Sequence, residues 1–233
     1  MDTGMKGKRA AMKIAILGTG MVGATIGSKL VQNRHDVRMG SRTADNEKAA
    51  AWLAGQTAGK GRASVGTFAD AAQHGNVIFN CTAGSASLQA LQMAGSDNLR
   101  GKVVIDIANP LDYSHGMPPT FTVCNTDSLG EQIQRAFPGA MVVKTLNTMN
   151  CKVMVEPSLV PGEHVVFMSG DEPAAKEQVK TFLTHDFGWN PRNVIDLGGI
   201  VTARGPEMVL ALWVNLRGVL GHNQFNFGIL TKE

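Results

Sequence analysis

An α/β fold with a mostly parallel sheet is predicted by three observations in this 233-residue chain. Short apolar runs recur at close intervals with helical stretches between them. The first run stops at a glycine-rich turn. A stretch with helical spacing follows that turn at once. At roughly 100–200 residues per domain, the length suits one large domain with an appendage. Hydrophobic residues make up 43% and charged residues 18%, a globular composition that argues against disorder throughout. No apolar run approaches the roughly 20 residues that cross a bilayer, so no membrane partner is expected.

Residues 1–11 read as a polar, flexible tail. Its basic cluster, Lys6, Lys8 and Arg9, lacks the apolar region of a secretory signal. With a net charge of only +3 spread along the chain, it reads as a leader and no nucleic-acid partner is expected. Residues 12–150 are expected to form a dinucleotide-binding core, and residues 151–233 an extension packed on the same domain. Met12–Leu17 is a short apolar run that suits a buried parallel strand. Met21–Asn33 follows as a helix, with Val22, Ile26, Leu30 and Val31 on one face. Asp36–Gly40, Val77–Cys81, Lys102–Ile107 and Met141–Leu146 read as further strands, and Ala44–Leu53 as a helix.

The alternation continues through a strand at His164–Met168, a helix at Pro173–Thr184 and a strand at Val194–Leu197. Proline at the start of that helix suits its first turn. Pro206–Leu220 closes the chain as a helix that is apolar almost all round, which predicts burial in the core or in a subunit interface. The latter predicts a homodimer with Trp213 and Leu216 at or near its interface. The Pro- and Asn-rich stretch Ala108–Asp127 is the longest irregular segment, and loops of that length in compact domains are often functional.

Gly18-Thr19-Gly20-Met21-Val22-Gly23 matches G-x-G-x-x-G between a strand and a helix. Gly18 permits the tight turn, Gly20 lets backbone approach a pyrophosphate, and Gly23 lets the helix pack closely. The helix N-terminus then offers free N–H groups to phosphate. The expected architecture is therefore a Rossmann-type, doubly wound sheet with a C-terminal extension ending in an apolar helix. An NAD-preferring site would carry a carboxylate at the end of the second strand, to hold the ribose 2′-hydroxyl. This chain has Gly40-Ser41-Arg42-Thr43 instead. A hydroxyl and a permanently charged planar fork there predict NADP(H), with Ser41 and Arg42 on the 2′-phosphate and Lys48 as a second cation.

The six histidines are scattered, and no triad order or H-E-x-x-H stands out. No catalytic acid or base is assigned, since hydride transfer needs none: the cofactor carries the chemistry and the protein positions it. Cys81, Cys124 and Cys151 are odd in number, far apart and never paired as C-x-x-C. That predicts a reducing, cytoplasmic setting and no metal site.

These residues carry a resemblance. From about Met12 to the C-terminus, the chain resembles the coenzyme F420 (deazaflavin)-dependent NADP oxidoreductases and their bacterial relatives. The resemblance rests on MKIAILGTGMVG, on GSR after the second strand, on VVKTLNT at Val142–Thr148, and on DLGGIVTARGPE at Asp196–Glu207. The same module also resembles the reductase domain of membrane ferric reductases, which passes hydride to a flavin. The resemblance implies direct hydride transfer between NADPH and a deazaflavin or flavin-like acceptor, often in a dimer. It implies that Thr19, Met21 and Val22 lie along the pyrophosphate. It also implies that Thr82, Ala83, Asn109 and Pro110 flank the nicotinamide half. Asn147, where the family carries a histidine near the acceptor ring, is then expected in the acceptor pocket with Thr148. Thr202 and Arg204 are expected to close that pocket, with Glu207 partnering Arg204. The alternatives are an NADPH-dependent reductase of a small imine or carbonyl, and an NADPH-sensing protein without turnover. The long helical dimer domain of pyrroline-carboxylate reductases has no room in this chain.

Overall fold

The computed structural model describes residues 10–56 and 60–232. Lys6, Lys8 and Arg9 of the expected leader lie outside the described residues. The chain runs β1 (Lys13–Leu17), α1 (Met21–Gln32), β2 (Asp36–Ser41), α2 (Glu47–Ala54), β3 (Arg62–Thr67) and α3 (Phe68–His74). It continues through β4 (Val77–Asn80), α4 (Gly84–Ala94), α5 (Ser96–Leu99) and β5 (Val103–Asp106). A small hairpin, β6 (Leu111–Asp112) and β7 (Thr120–Phe121), precedes α6 (Leu129–Ala136), β8 (Met141–Thr145) and α7 (Cys151–Val155). The last part holds β9 (Val166–Ser169), α8 (Pro173–Thr181), β10 (Val194–Asp196) and α9 (Arg204–Leu220).

All but the hairpin strands join one eight-stranded sheet, ordered β10-β9-β8-β5-β4-β1-β2-β3. Strands β3 to β8 across that order pair in parallel, β9 lies antiparallel to β8, and β10 pairs in parallel with β9. The strand order reverses about β1, which is flanked by β2 and β4. In open α/β sheets, that crevice outside the carboxyl ends is where ligands bind.

Alternation along β1 sends its side chains to two cores. Ile14 and Ile16 join Ile26, Leu30, Val153 and Val179 on one face. Ala15 and Leu17 join Phe68, Leu91, Leu129 and Ile133 on the other. Both faces of β1 are therefore dry, as an uninterrupted apolar run demands. The helix begun at Pro173 ends as α8 at Thr181 and continues as a wider turn through Asp186.

The closing helix departs from the core expectation. Of its residues, Pro206, Glu207 and Leu210 are buried, whereas Leu212, Val219 and Leu220 are exposed. Trp213 stacks on Phe225 at 5.4 Å between ring centroids, and its Nε1 has no hydrogen-bond partner among the described residues. No described helix is long and apolar enough to cross a membrane.

Candidate functional site

The glycine turn follows directly from β1. Gly18 has φ of +114°, and a Cβ there would stand 2.7 Å from the Cys81 carbonyl oxygen. Only glycine meets both conditions. A Cβ on Gly23 would lie 2.1 Å from the Gly18 carbonyl oxygen, so this glycine lets α1 close down on the turn. Gly20 differs, because a Cβ there would meet nothing within 4 Å. Its missing side chain leaves open space at the helix N-terminus, in the position a pyrophosphate needs.

That space belongs to a cleft of about 380 Å³ across the carboxyl ends of β1, β2 and β4. Gly18, Thr19 and Gly20 form one wall, and Ser41, Arg42 and Lys48 stand together at the β2 end. Ser41 is buried, and its hydroxyl donates to the Thr43 carbonyl oxygen, which leaves its oxygen as an acceptor toward the cleft. Arg42 and Lys48 are exposed and have no hydrogen-bonding or ion-pair partner among the described residues. Two uncommitted cations beside an open, N–H-lined turn fit a 2′-phosphate and a pyrophosphate. Asn46, Phe68 and Met93 line the same cleft; no motif marked them in the sequence.

A second cavity of about 250 Å³ adjoins the first and shares Cys81, Thr82 and Ala83 with it. Val22, Asn109, Leu111 and Tyr113 line its remaining walls, so the long irregular segment does reach the site. Burial first, and the Asp106 charge second, push the Cys81 thiol far above its usual pKa, so it stays protonated and presents a neutral surface. Met21 is exposed, Pro110 is buried, and neither lines these two cavities.

The four residues expected around the acceptor pack outside both cavities. Asn147 is 2% exposed, and its Nδ2 donates to Asn109 Oδ1 at 2.9 Å and to the Pro206 carbonyl at 3.1 Å. Asn109 Nδ2 returns a bond to the Asn147 carbonyl at 2.9 Å. The Asn147 side chain thus ties the β8 end to the loop after β5 and the start of α9. Thr148 is buried beside it. Thr202 Oγ1 lies 2.7 Å from both Ser169 Oγ and the Gly199 carbonyl, and its single proton goes to one of them. Arg204 forks onto Glu131, Nε at 2.8 Å and Nη2 at 2.6 Å. None of the four lines either cavity.

Glu207 is not the partner of Arg204. It turns inward, accepts from the Leu129 and Gly130 N–H groups that open α6, and pairs with Lys144 at 2.8 Å. Lys144 is 1% exposed, also ion-pairs with Asp106 Oδ2 at 2.5 Å, and donates to the Ala108 carbonyl at 2.6 Å. Burial works against its charge, but Asp106 and Glu207 more than offset this and hold its pKa above the usual lysine value. The sequence carried a signal for this cluster: opposite charges, Asp106 and Lys144, sit in the apolar runs VVID and MVVKT. Adjacent parallel strands place those two residues directly opposite each other.

Fold and cleft together define a dinucleotide-binding protein of the doubly wound α/β class. The family described as NADP oxidoreductase, coenzyme F420-dependent, matches residues 13–110. A crystal structure from Arthrobacter sp. FB24, provisionally named an F420-dependent NADP-reductase, is 48% identical with a TM-score of 0.87, over 95% of this chain and 100% of that one. The F420-dependent NADP reductase of Methanocaldococcus jannaschii is 26% identical over 88% of this chain and 92% of its own. The metalloreductase STEAP3 of Rattus norvegicus is 26% identical over 86% of this chain, which spans only 37% of the rat protein. The chain belongs to the F420-dependent NADP oxidoreductase family and is an NADP-dependent oxidoreductase.

Proposed function

We propose that the protein transfers hydride between NADPH and a deazaflavin or flavin-like acceptor, both of which bind reversibly as small molecules. One observation carries this reading: a cation-flanked cleft opens, past Thr82 and Ala83, into a smaller cavity walled largely by apolar groups. Arg42 and Lys48 hold the 2′-phosphate, Ser41 joins them by turning its hydroxyl from the Thr43 carbonyl to donate to the phosphate, and the Thr19–Gly20 turn cradles the pyrophosphate. Thr82, Ala83 and Asn109 border the nicotinamide. Bound NADPH supplies the hydride, while the chain orients the ring and excludes water. Leu111 and Tyr113 offer flat and apolar surface to a planar acceptor ring.

NADPH oxidation followed by absorbance, with deazaflavin, FMN, FAD, quinone and ferric acceptors in parallel, tests the reading. Turnover with deazaflavin or a flavin, exceeding that with quinone or ferric ion, is the expected result. Oxidation by none of the acceptors, with NADPH bound stably, would favour a sensor.

The exposed apolar residues Met208, Leu212, Val219 and Leu220 of α9 support a homodimer formed against a second copy of that helix. A monomer mass by light scattering at micromolar concentration counts against it.

A further inference from the structure

Thr82 stands at the junction of the two cavities, and a buried network determines what its hydroxyl can do there. The network starts at Lys144, whose ammonium ion-pairs with Asp106 and Glu207 and donates to the Ala108 carbonyl. A carboxylate so paired has only acceptor capacity left. Asp106 Oδ1 therefore takes a hydrogen from Asn80 Nδ2, at 2.8 Å. That bond fixes which way the Asn80 amide faces, so its Oδ1 accepts from the Thr82 hydroxyl at 2.7 Å. The Thr82 proton is thereby committed.

Ser87 completes the ring. Its oxygen accepts from Asn80 Nδ2 at 3.1 Å, so its own proton is free for another acceptor. The Thr82 oxygen lies 2.7 Å away and the Ala83 carbonyl 3.4 Å away, so the proton goes to Thr82. One lone pair of the Thr82 oxygen remains. Asn80, Ser87, Asp106 and Lys144 are all buried, and none of them touches solvent enough to scramble this order.

We infer that Thr82 acts as a fixed hydrogen-bond acceptor for the amide N–H of the nicotinamide carboxamide, with Asn80, Asp106 and Lys144 as positioning residues that keep its hydroxyl from donating. The inference rests on reading the cleft as an NADP site. It names the group on the cofactor that the β4 loop recognises, and it explains why charged groups are retained in two central strands at a desolvation cost.

The test uses cofactor analogues and reads binding. The full chain is titrated with NADP⁺ and with 3-acetylpyridine adenine dinucleotide phosphate, which has a carbonyl but no N–H at that position. Loss of one neutral hydrogen bond predicts that wild type prefers NADP⁺ by about 3- to 10-fold. Thr82→Val removes the acceptor, weakens NADP⁺ by about that factor, and leaves the acetylpyridine analogue within about twofold. Thr82→Ser restores the preference. Asn80→Ala frees the hydroxyl to donate to the acetyl carbonyl and narrows the gap from the other side. Equal weakening of both dinucleotides in Thr82→Val, or an unchanged ratio in Asn80→Ala, overturns the inference. Binding of 2′-phospho-ADP-ribose, which has no nicotinamide, separates the two levels. If wild type does not bind it, the NADP reading of the cleft fails, and the inference fails with it.

Discussion

The carbonyl oxygen of Asn109 occupies the space a side chain on Gly84 would need: a Cβ there would stand 1.9 Å from that oxygen and 2.5 Å from its carbon. The loops after β4 and β5 are thus pressed backbone to backbone, and together they floor the second cavity. Neither can retreat cheaply, because Asn109 is bonded to the buried Asn147. Gly84→Ala should destabilise the protein by about 1–3 kcal/mol, as overpacking typically does. For a chain of this size that is a melting temperature lower by several degrees, roughly 2–4 °C per kcal/mol. The KM for the acceptor should rise more than that for NADPH, since the displaced segment leads to Leu111 and Tyr113. Unchanged melting and unchanged KM values would show that the loops yield freely.

Gly20 and Gly23 lie in one motif but should fail differently. Gly20 has extended φ and ψ of −75° and −179° and open space at its Cβ, so Gly20→Val is tolerated by the fold. The added branch projects where the pyrophosphate must approach, and NADPH binding should be abolished. Gly23→Ala drives a methyl toward the Gly18 carbonyl at 2.1 Å, so its cost falls on stability, about 1–3 kcal/mol, before it falls on binding. Thermal melts paired with NADPH fluorescence titrations separate the two. A Gly20→Val variant that binds NADPH normally would displace the pyrophosphate from this turn.

What the sequence made legible follows from how local each signal is. The glycine turn and Gly40-Ser41-Arg42 could be read because strand, turn and helix start are contiguous. β3 was invisible: its Arg62–Thr67 run has no continuous apolar stretch, as suits the sheet's edge, and α3 is a short helix directly behind it. Asn147 was placed at the correct strand end, but its direction was not readable, since its partners Asn109 and Pro206 are 38 and 59 residues away. Arg204 illustrates the same limit. The helical spacing suggested Glu207, whereas packing supplies Glu131 from α6 and turns Glu207 onto Lys144. Periodicity likewise marked α9 as apolar without saying that most of it stays uncovered within one chain.

Arg42 should decide cofactor choice. It lines the cleft, is exposed, and has no partner among the described residues, so its removal breaks no contact of the fold that those residues provide. Arg42→Ala should weaken NADPH by about 1.5–3 kcal/mol, the worth of a charge-assisted hydrogen bond. NADH, which lacks the phosphate, should change little, and the NADPH loss should shrink at high salt. Equal losses for both cofactors in parallel titrations would make Arg42 structural.

Acid should loosen the junction between α6 and α9. The Arg204 fork first, with Ser128 Oγ at 2.8 Å assisting, holds the Glu131 carboxyl below its usual range against the opposing effect of burial. One turn back, Arg135 does the same to Asp127, whose pKa falls to about 2. Both groups have lower pKa values folded than unfolded, so their contribution is fully present above the unfolded values, about 4, and is lost as pH falls through the folded ones. The melting temperature should therefore drop between about pH 4 and pH 2, in part through these two groups. Glu131→Gln keeps the shape but not the charge, so it should melt below wild type at pH 7, and the gap should close toward pH 2. The Arg204 side chain is one-third exposed, so salt screening should also shrink the gap at pH 7. Melting curves of both proteins across that range decide the matter: a gap that stays constant from pH 7 to pH 2 would mean that Glu131 contributes through packing and not through its charge.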